Sequence, residues 1–196
     1  MYAVGVNGHF HAVDAQTGAL RWSHNLVELF GLVDYNAFAS SAVAYEGLSS
    51  CRWAVVTTGL LRSTGKRVPS SGKVSHSLSG LGHPDLFTQW RRPTGGLGSA
   101  RGGFGLDPRD GGRLWHQPHA NDLGLNLSMP VWSTQQRLFI SSAYNGGSRM
   151  IQLQSDRTGT TVQELWHTNR TRLHFSNAIE IGNLVIGSSG DFGPAS

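Results

Sequence analysis

The chain has 196 residues, a formal net charge of +4, 38% apolar residues and a single cysteine. Cys51 alone permits no internal disulfide and no cysteine-rich metal cluster, and no apolar run approaches the ~18 residues of a membrane-spanning helix. The charge is uneven, with ten basic against three acidic side chains in 52–113. It lies on no helix face and is not interleaved with regularly spaced aromatics, which argues against a nucleic-acid surface.

Residues 2–6 (YAVGV) read as a strand rather than a signal peptide. Asn7-Gly8 predicts a type I′ hairpin. His9 to Val13 alternates, Asp14 to Gly18 turns, and Ala19 to Trp22 returns. In that turn the aspartate accepts backbone N–H groups and glycine takes the left-handed position. The tryptophan that follows is large and flat, suited to packing between sheets. Residues 26–37 read as a loop, 38–46 as the next strand, and 54–58 as another.

From there to residue 104 alternation is mostly lost. Gly, Ser, Arg and Pro dominate, so periodicity predicts an irregular segment. Pattern returns at Phe104-Gly105-Leu106-Asp107, and strands follow at 129–133, 137–143, 149–154 and 162–167. A last hairpin spans 174–188, with its turn at Gly182-Asn183.

A repeat underlies this order. Asp14-Ala15-Gln16-Thr17-Gly18 precedes Ala19-Leu20-Arg21-Trp22, and Asp107-Pro108-Arg109-Asp110-Gly111 precedes Gly112-Arg113-Leu114-Trp115. Weaker copies end at Gly65 and Gly159, the latter followed by Trp166, so the glycines are 47, 46 and 48 residues apart. That period marks a β-propeller above other repeat architectures. The fold expected is all-β: a partial propeller of about four blades, each a four-stranded antiparallel sheet. The array divides into a well-patterned 1–49, a divergent 50–104, and a well-patterned 105–196 ending within a blade.

The segments AVDAQTGALRW (12–22) and GLDPRDGGRLW (105–115) resemble the blade motif of quinoprotein-like β-propellers, the repeat proteins similar to pyrroloquinoline-quinone-dependent alcohol dehydrogenases. Residues 1–48, 124–144 and 173–193 extend the resemblance. It implies that each tryptophan docks on the glycine turn of a neighbouring blade, giving docking roles to Gly18, Trp22, Gly111, Trp115, Gly159 and Trp166. Family members close with more blades and are mostly periplasmic or exported, so the chain is expected to be a piece of a longer propeller. Its middle has the look of a segment read in a shifted frame.

Catalytic members of the family hold their quinone between a tryptophan and an adjacent-cysteine disulfide, with calcium on carboxylate and amide oxygens and an aspartate base. Cys51 is alone, and Glu28, Asp34 and Glu46 are scattered. No catalytic residue, metal site or cofactor is therefore expected, although a quinone-dependent dehydrogenase remains the rival reading. There is no HExxH, GxSxG, P-loop or dinucleotide fingerprint. His9 and His11 share a strand face but lack a third ligand, and the other histidines read as surface or turn residues.

Ser40, Ser128 and Ser176 occupy matching strand starts, with Asn126 and His174 two residues before the latter two. They are candidates for a channel-mouth site taking a small polar ligand or a partner's loop, against the alternative that they cap strands and hold water. The partners expected are a protein or a second copy at open blade edges.

Overall fold

The computed structural model describes residues 1–30, 43–46, 52–56, 59–62, 85–89, 92–99, 102–107, 113–133 and 135–190. Its elements follow the repeat. The first sheet joins β1 (Tyr2–Val4), β2 (His9–Val13) and β3 (Leu20–Asn25), and α1 (Leu26–Phe30) follows. The second joins β4 (Val43–Glu46), β5 (Arg52–Val56) and β6 (Gly59–Arg62). The third has four strands: β7 (Asp85–Gln89), β8 (Arg92–Ser99), β9 (Gly102–Leu106) and β10 (Arg113–Pro118). The fourth also has four: β11 (Val131–Ser133), β12 (Arg137–Ser142), β13 (Gly147–Ser155) and β14 (Thr160–Thr168). A fifth is the hairpin β15 (Ile179–Ile181) and β16 (Leu184–Ile186).

Every pairing is antiparallel between sequential strands. Consecutive up-and-down sheets of up to four strands, stacked face on face, are the blades of a β-propeller. The chain is a partial β-propeller.

The aspartate turns fall between the last two strands of a sheet. Asp14 Oδ1 accepts from the Gln16 and Thr17 amides at 3.0 and 3.1 Å, and Oδ2 meets Arg21 at 2.6 Å. Gly18, at φ 72°, is the left-handed residue. The Arg21 hydrogen bond, then the Thr17 and Gln16 amides, hold the Asp14 carboxyl well below the usual range. Asp156 repeats the device, accepting from the Thr158 and Gly159 amides at 2.7 and 3.0 Å. This turn is one residue shorter than Asp14 to Gly18, and Gly159 stays out of the left-handed region.

Three expectations differ from the fold. At Asn7-Gly8 only Gly8 has positive φ, 81°, and its amide donates to the Gly5 carbonyl at 2.8 Å. Val6-Asn7 therefore form the turn and glycine follows it, in place of a type I′ pair. That geometry occurs instead at Tyr144-Asn145, φ 54° and 65°, between β12 and β13. The supposed loop after residue 25 begins as α1. Asn25 Oδ1 accepts from the Val27 amide at 3.0 Å and its Nδ2 donates to Glu28 at 3.2 Å, a side-chain cap that starts the helix.

The third difference is that β6, β7, β8 and the start of β9 lie where periodicity predicts an irregular segment. A Cβ at Gly105 would fall 1.9 Å from Trp115 Nε1, and one at Gly102 would fall 2.1 Å from the Gln117 carbonyl oxygen. Glycine in β9 leaves room for the neighbouring strand's backbone and indole, which erases the hydrophobic alternation.

The core lies between sheets. Trp115, Leu138, Ile140, Ile151 and Leu153 pack between the third and fourth. Phe139, Leu173 and Ala178, with Met150 and Val185, pack between the fourth and fifth. Leu138 and Ile140 thus face one neighbour and Phe139 the other, as alternation along β12 requires.

Candidate functional site

Most of the buried polar side chains collect at the end of β12, at the start of β13 and in the loops that follow β10 and β14. His119, expected at the surface, is completely buried. Arg149 Nε donates to its Nδ1 at 2.8 Å. An arginine only donates, so the imidazole proton sits on Nε2 and is given to Ser142 Oγ, 2.9 Å away. Arg149 Nη1 in turn pairs with Glu164 at 2.5 Å, and Gln117 Nε2 reaches the same carboxylate at 3.3 Å. Asn121 Nδ2 approaches Asn126 Oδ1 at 3.1 Å and Ser142 Oγ at 3.3 Å, and Asn126 Nδ2 donates to the His119 carbonyl at 3.4 Å.

This chain has the outline of a serine–histidine dyad with the opposite polarity. A general base must take the serine proton at Nε2, and here Nε2 already carries one. Burial, then the Arg149 and His167 charges, lower the His119 pKa to about 3. The imidazole is a neutral structural donor that ties the third sheet's exit loop to the fourth sheet.

A second seam joins the fourth sheet to the fifth. Ser141 points to the other side of β12 from Ser142 and accepts the Leu173 amide at 3.0 Å. Ser148 donates to the Thr171 carbonyl at 2.8 Å, and Ser141 and Ser148 lie 2.7 Å apart. The Met129 amide donates to Asn177 Oδ1 at 2.9 Å. The Tyr144 hydroxyl meets His174 Nε2 at 2.7 Å.

The channel-mouth candidates fall into these seams. Ser128 is buried and donates to the His174 carbonyl at 3.2 Å. Asn126 and His174 are buried as well, with the partners given above. Ser176 donates to the Ser188 carbonyl at 2.8 Å. The structure brings Ser128 and His174 together and leaves Asn126 in the other seam. Ser40 lies outside the described residues.

The docking candidates divide differently. Trp22 packs in its own sheet, edge-on to Phe10 at 5.3 Å. Trp115 covers Gly105 of its own sheet and reaches the fourth sheet's core. Trp166 is 43% exposed, with Phe139 6.1 Å away. Among the described residues, a Cβ at Gly18 or Gly159 would have no heavy atom within 4 Å. Gly111 lies outside the described residues.

Sequence reasoning missed His119, Arg149 and the paired serines. The available signal was Ser-Ser at 141–142 and again at 188–189, 47 residues on. Ser189 Oγ accepts the Arg172 amide at 2.9 Å, so the second pair also fastens a loop.

Two surfaces remain open among the described residues. A groove of about 370 Å³ runs between the outer part of the fourth sheet and the fifth hairpin, lined by Phe139, Met150, Leu165, Trp166 and Leu184. Beside it the hairpin exposes Ile179, Ile181, Leu184 and Ile186. No three His, Cys, Asp or Glu side chains converge as a metal site among the described residues. No described helix is long and apolar enough to cross a membrane.

Stacked antiparallel blades fastened by buried polar seams define a β-propeller repeat array. Among solved structures, BamB from Moraxella catarrhalis matches 96% of this chain with a TM-score of 0.55 and 13% identity. At that identity the likeness is one of fold. The chain spans 54% of the BamB chain, about half its length. No protein-family model and no curated protein matches the sequence.

Proposed function

We propose that the chain is a non-enzymatic propeller scaffold or binding module, part of a longer quinoprotein-like repeat protein, which binds a protein partner through its open blade surfaces. The observation that carries this reading is the state of its buried polar groups. His119, Ser142, Asn126, Ser128 and His174, which as free groups would serve a ligand, are spent on bonds between and around sheets. The fifth hairpin exposes the aliphatic side chains of Ile179, Ile181, Leu184 and Ile186, a surface suited to protein docking rather than to polar small-molecule chemistry.

The rival is a quinone-dependent dehydrogenase. The residues present do not fit its cofactor. An adjacent-cysteine disulfide needs two cysteines and the chain has one, and the described residues gather no carboxylate cluster for calcium. Incubation with pyrroloquinoline quinone and calcium, followed by dye-linked alcohol oxidation, separates the two readings. The scaffold reading expects no saturable turnover. Saturable oxidation lost on calcium removal would overturn it.

A further inference from the structure

Two turns hold the same dipeptide at the same place in the repeat. Asn7-Gly8 joins β1 to β2, and Asn145-Gly146 joins β12 to β13, three repeats on. In each the asparagine is the third residue of a four-residue turn closed by the glycine amide. Gly8 donates to the Gly5 carbonyl at 2.8 Å and Gly146 to the Ala143 carbonyl at 3.1 Å. Both asparagines are exposed. Asparagine before glycine is prone to close into a succinimide, because the glycine has no Cβ to obstruct the approach of its own nitrogen.

The two side chains are held differently. Asn145 Nδ2 donates to Asp122 Oδ2 at 2.5 Å, which ties the amide to the loop before β11. Asn145 has a φ of 65° beside Tyr144 at 54°, so the turn backbone is left-handed at both central residues. Gly146 is packed as well. A Cβ there would fall 1.9 Å from Ser142 Oγ and 3.1 Å from Asn121 Cβ, and both of those residues are bonded within the His119 seam. For the Gly146 nitrogen to reach Asn145 Cγ, the side chain must leave Asp122 and the turn must move against that seam. Asn7 lies in a turn with no left-handed residue before Gly8. No hydrogen bond holds its side chain among the described residues, so it is free to rotate onto the following amide.

We infer that Asn7 is a site of spontaneous covalent modification, passing through a succinimide to aspartate and isoaspartate, and that the fold shields Asn145 from the same reaction. The Gly8 nitrogen attacks Asn7 Cγ and forms a new C–N bond. The Cγ–Nδ2 bond breaks, and the side-chain nitrogen leaves as ammonia with the proton that Gly8 gives up. Solvent water then opens one of the two imide C–N bonds. Opening at Cγ leaves aspartate. Opening at the main-chain carbon leaves isoaspartate, whose backbone runs through Cβ and Cγ and is one carbon longer. The Gly8 carbonyl accepts the Leu26 amide at 2.8 Å, and Leu26 is completely buried at the start of α1. A longer main chain before Gly8 displaces that carbonyl, so isoaspartate loosens the junction of the first sheet with α1.

Incubation of the full chain at 37 °C and about pH 8, with tryptic peptides weighed by mass spectrometry at intervals, tests this. Peptides 1–21 and 138–149 each contain one asparagine, Asn7 and Asn145. Peptide 1–21 is expected to gain about 1 Da, the change from amide to acid, and to become a methyl acceptor for protein-isoaspartate methyltransferase. Peptide 138–149 is expected to stay unchanged over the same period. In guanidinium chloride, where the Asp122 tether is gone, both are expected to convert at similar rates. In the aged, folded protein the Leu26 amide is expected to exchange faster than in the fresh protein. An Asn7 that stays intact overturns the inference, as does conversion of both asparagines at similar rates in the folded chain. A difference that persists in denaturant overturns it too, since the selectivity would then belong to the local sequence and not to the fold.

Discussion

The fourth sheet and the fifth hairpin carry the same repeat pattern in different surroundings. In both, the first two strands pair through apolar residues at matching positions. The fourth is enclosed on both sides, so β12 is buried along all but its first residue. The fifth is enclosed on one side, and β15 stays exposed throughout. Burial in such an array belongs to the neighbour as much as to the sequence, since each blade's core is completed by the next.

That comparison predicts unequal costs for similar truncations. Leu138→Ala, between the third and fourth sheets, is expected to destabilise by about 2–5 kcal/mol, the range for a buried leucine. Ile181→Ala, on the open face, is expected to change stability by less than about 0.5 kcal/mol, the usual range for surface positions. Chemical denaturation of both variants at low micromolar concentration checks this, and equal losses would mean that the fifth hairpin is covered.

The polar seams sharpen the contrast through pH. His119 has a folded pKa of about 3 against an ordinary value near 6.5. The unfolded chain therefore takes up a proton that the folded one refuses. The stability this group confers is present above pH 6.5 and is lost as pH falls from there toward 3, at a slope of about 1.4 kcal/mol per pH unit. His119→Gln is expected to flatten that slope, measured as denaturation midpoints against pH. His174→Gln, in the other seam, probes whether this dependence belongs to the His119 seam alone. It is expected to leave the slope in place.

A smaller effect separates the fifth hairpin from the fourth sheet. Asn177→Ala removes the acceptor for the Met129 amide. Amide exchange at Met129 is expected to accelerate, while Ile140 and Ile151, in the core between the third and fourth sheets, keep their protection. The smallest effect is local to the turns. Asp14 and Asp156 both have depressed carboxyl pKa values. The order they give their turns is present above pH 4 and is lost as pH falls through the depressed folded values. Asp14→Asn is expected to remove that dependence at Gln16 and Thr17, read from their amide chemical shifts.

The parts of the fold legible in the sequence are those where side chains alone set the geometry. Asp14 and Gly18 announced their turn because an acceptor and a left-handed glycine suffice to build one. The apolar run Leu138 to Ile140 announced β12, and the alternation of Arg149 to Gln154 announced β13. Strand β9 was legible only from Phe104 onward, because Gly103 and Gly105 make room for Trp115 and Ile140, residues distant in sequence whose approach no local period records. His119 was illegible for a related reason. It follows Pro118 in what reads as a loop, and only the docking of that loop on Ser142 and Arg149 buries it. Ser128 and Ser176 were singled out at matching strand starts, with Asn126 and His174 two residues before them, and in the fold Ser128 donates to the His174 carbonyl.

The most direct test of the scaffold reading is the protonation state of His119, followed by long-range ¹H–¹⁵N correlation of the imidazole between about pH 4 and pH 8. A neutral ring protonated on Nε2 and unchanged across that range is the predicted result. A ring that titrates near pH 6.5, or carries its proton on Nδ1, would leave Nε2 free to accept from Ser142 and would contradict the assignment of these buried groups to holding blades together.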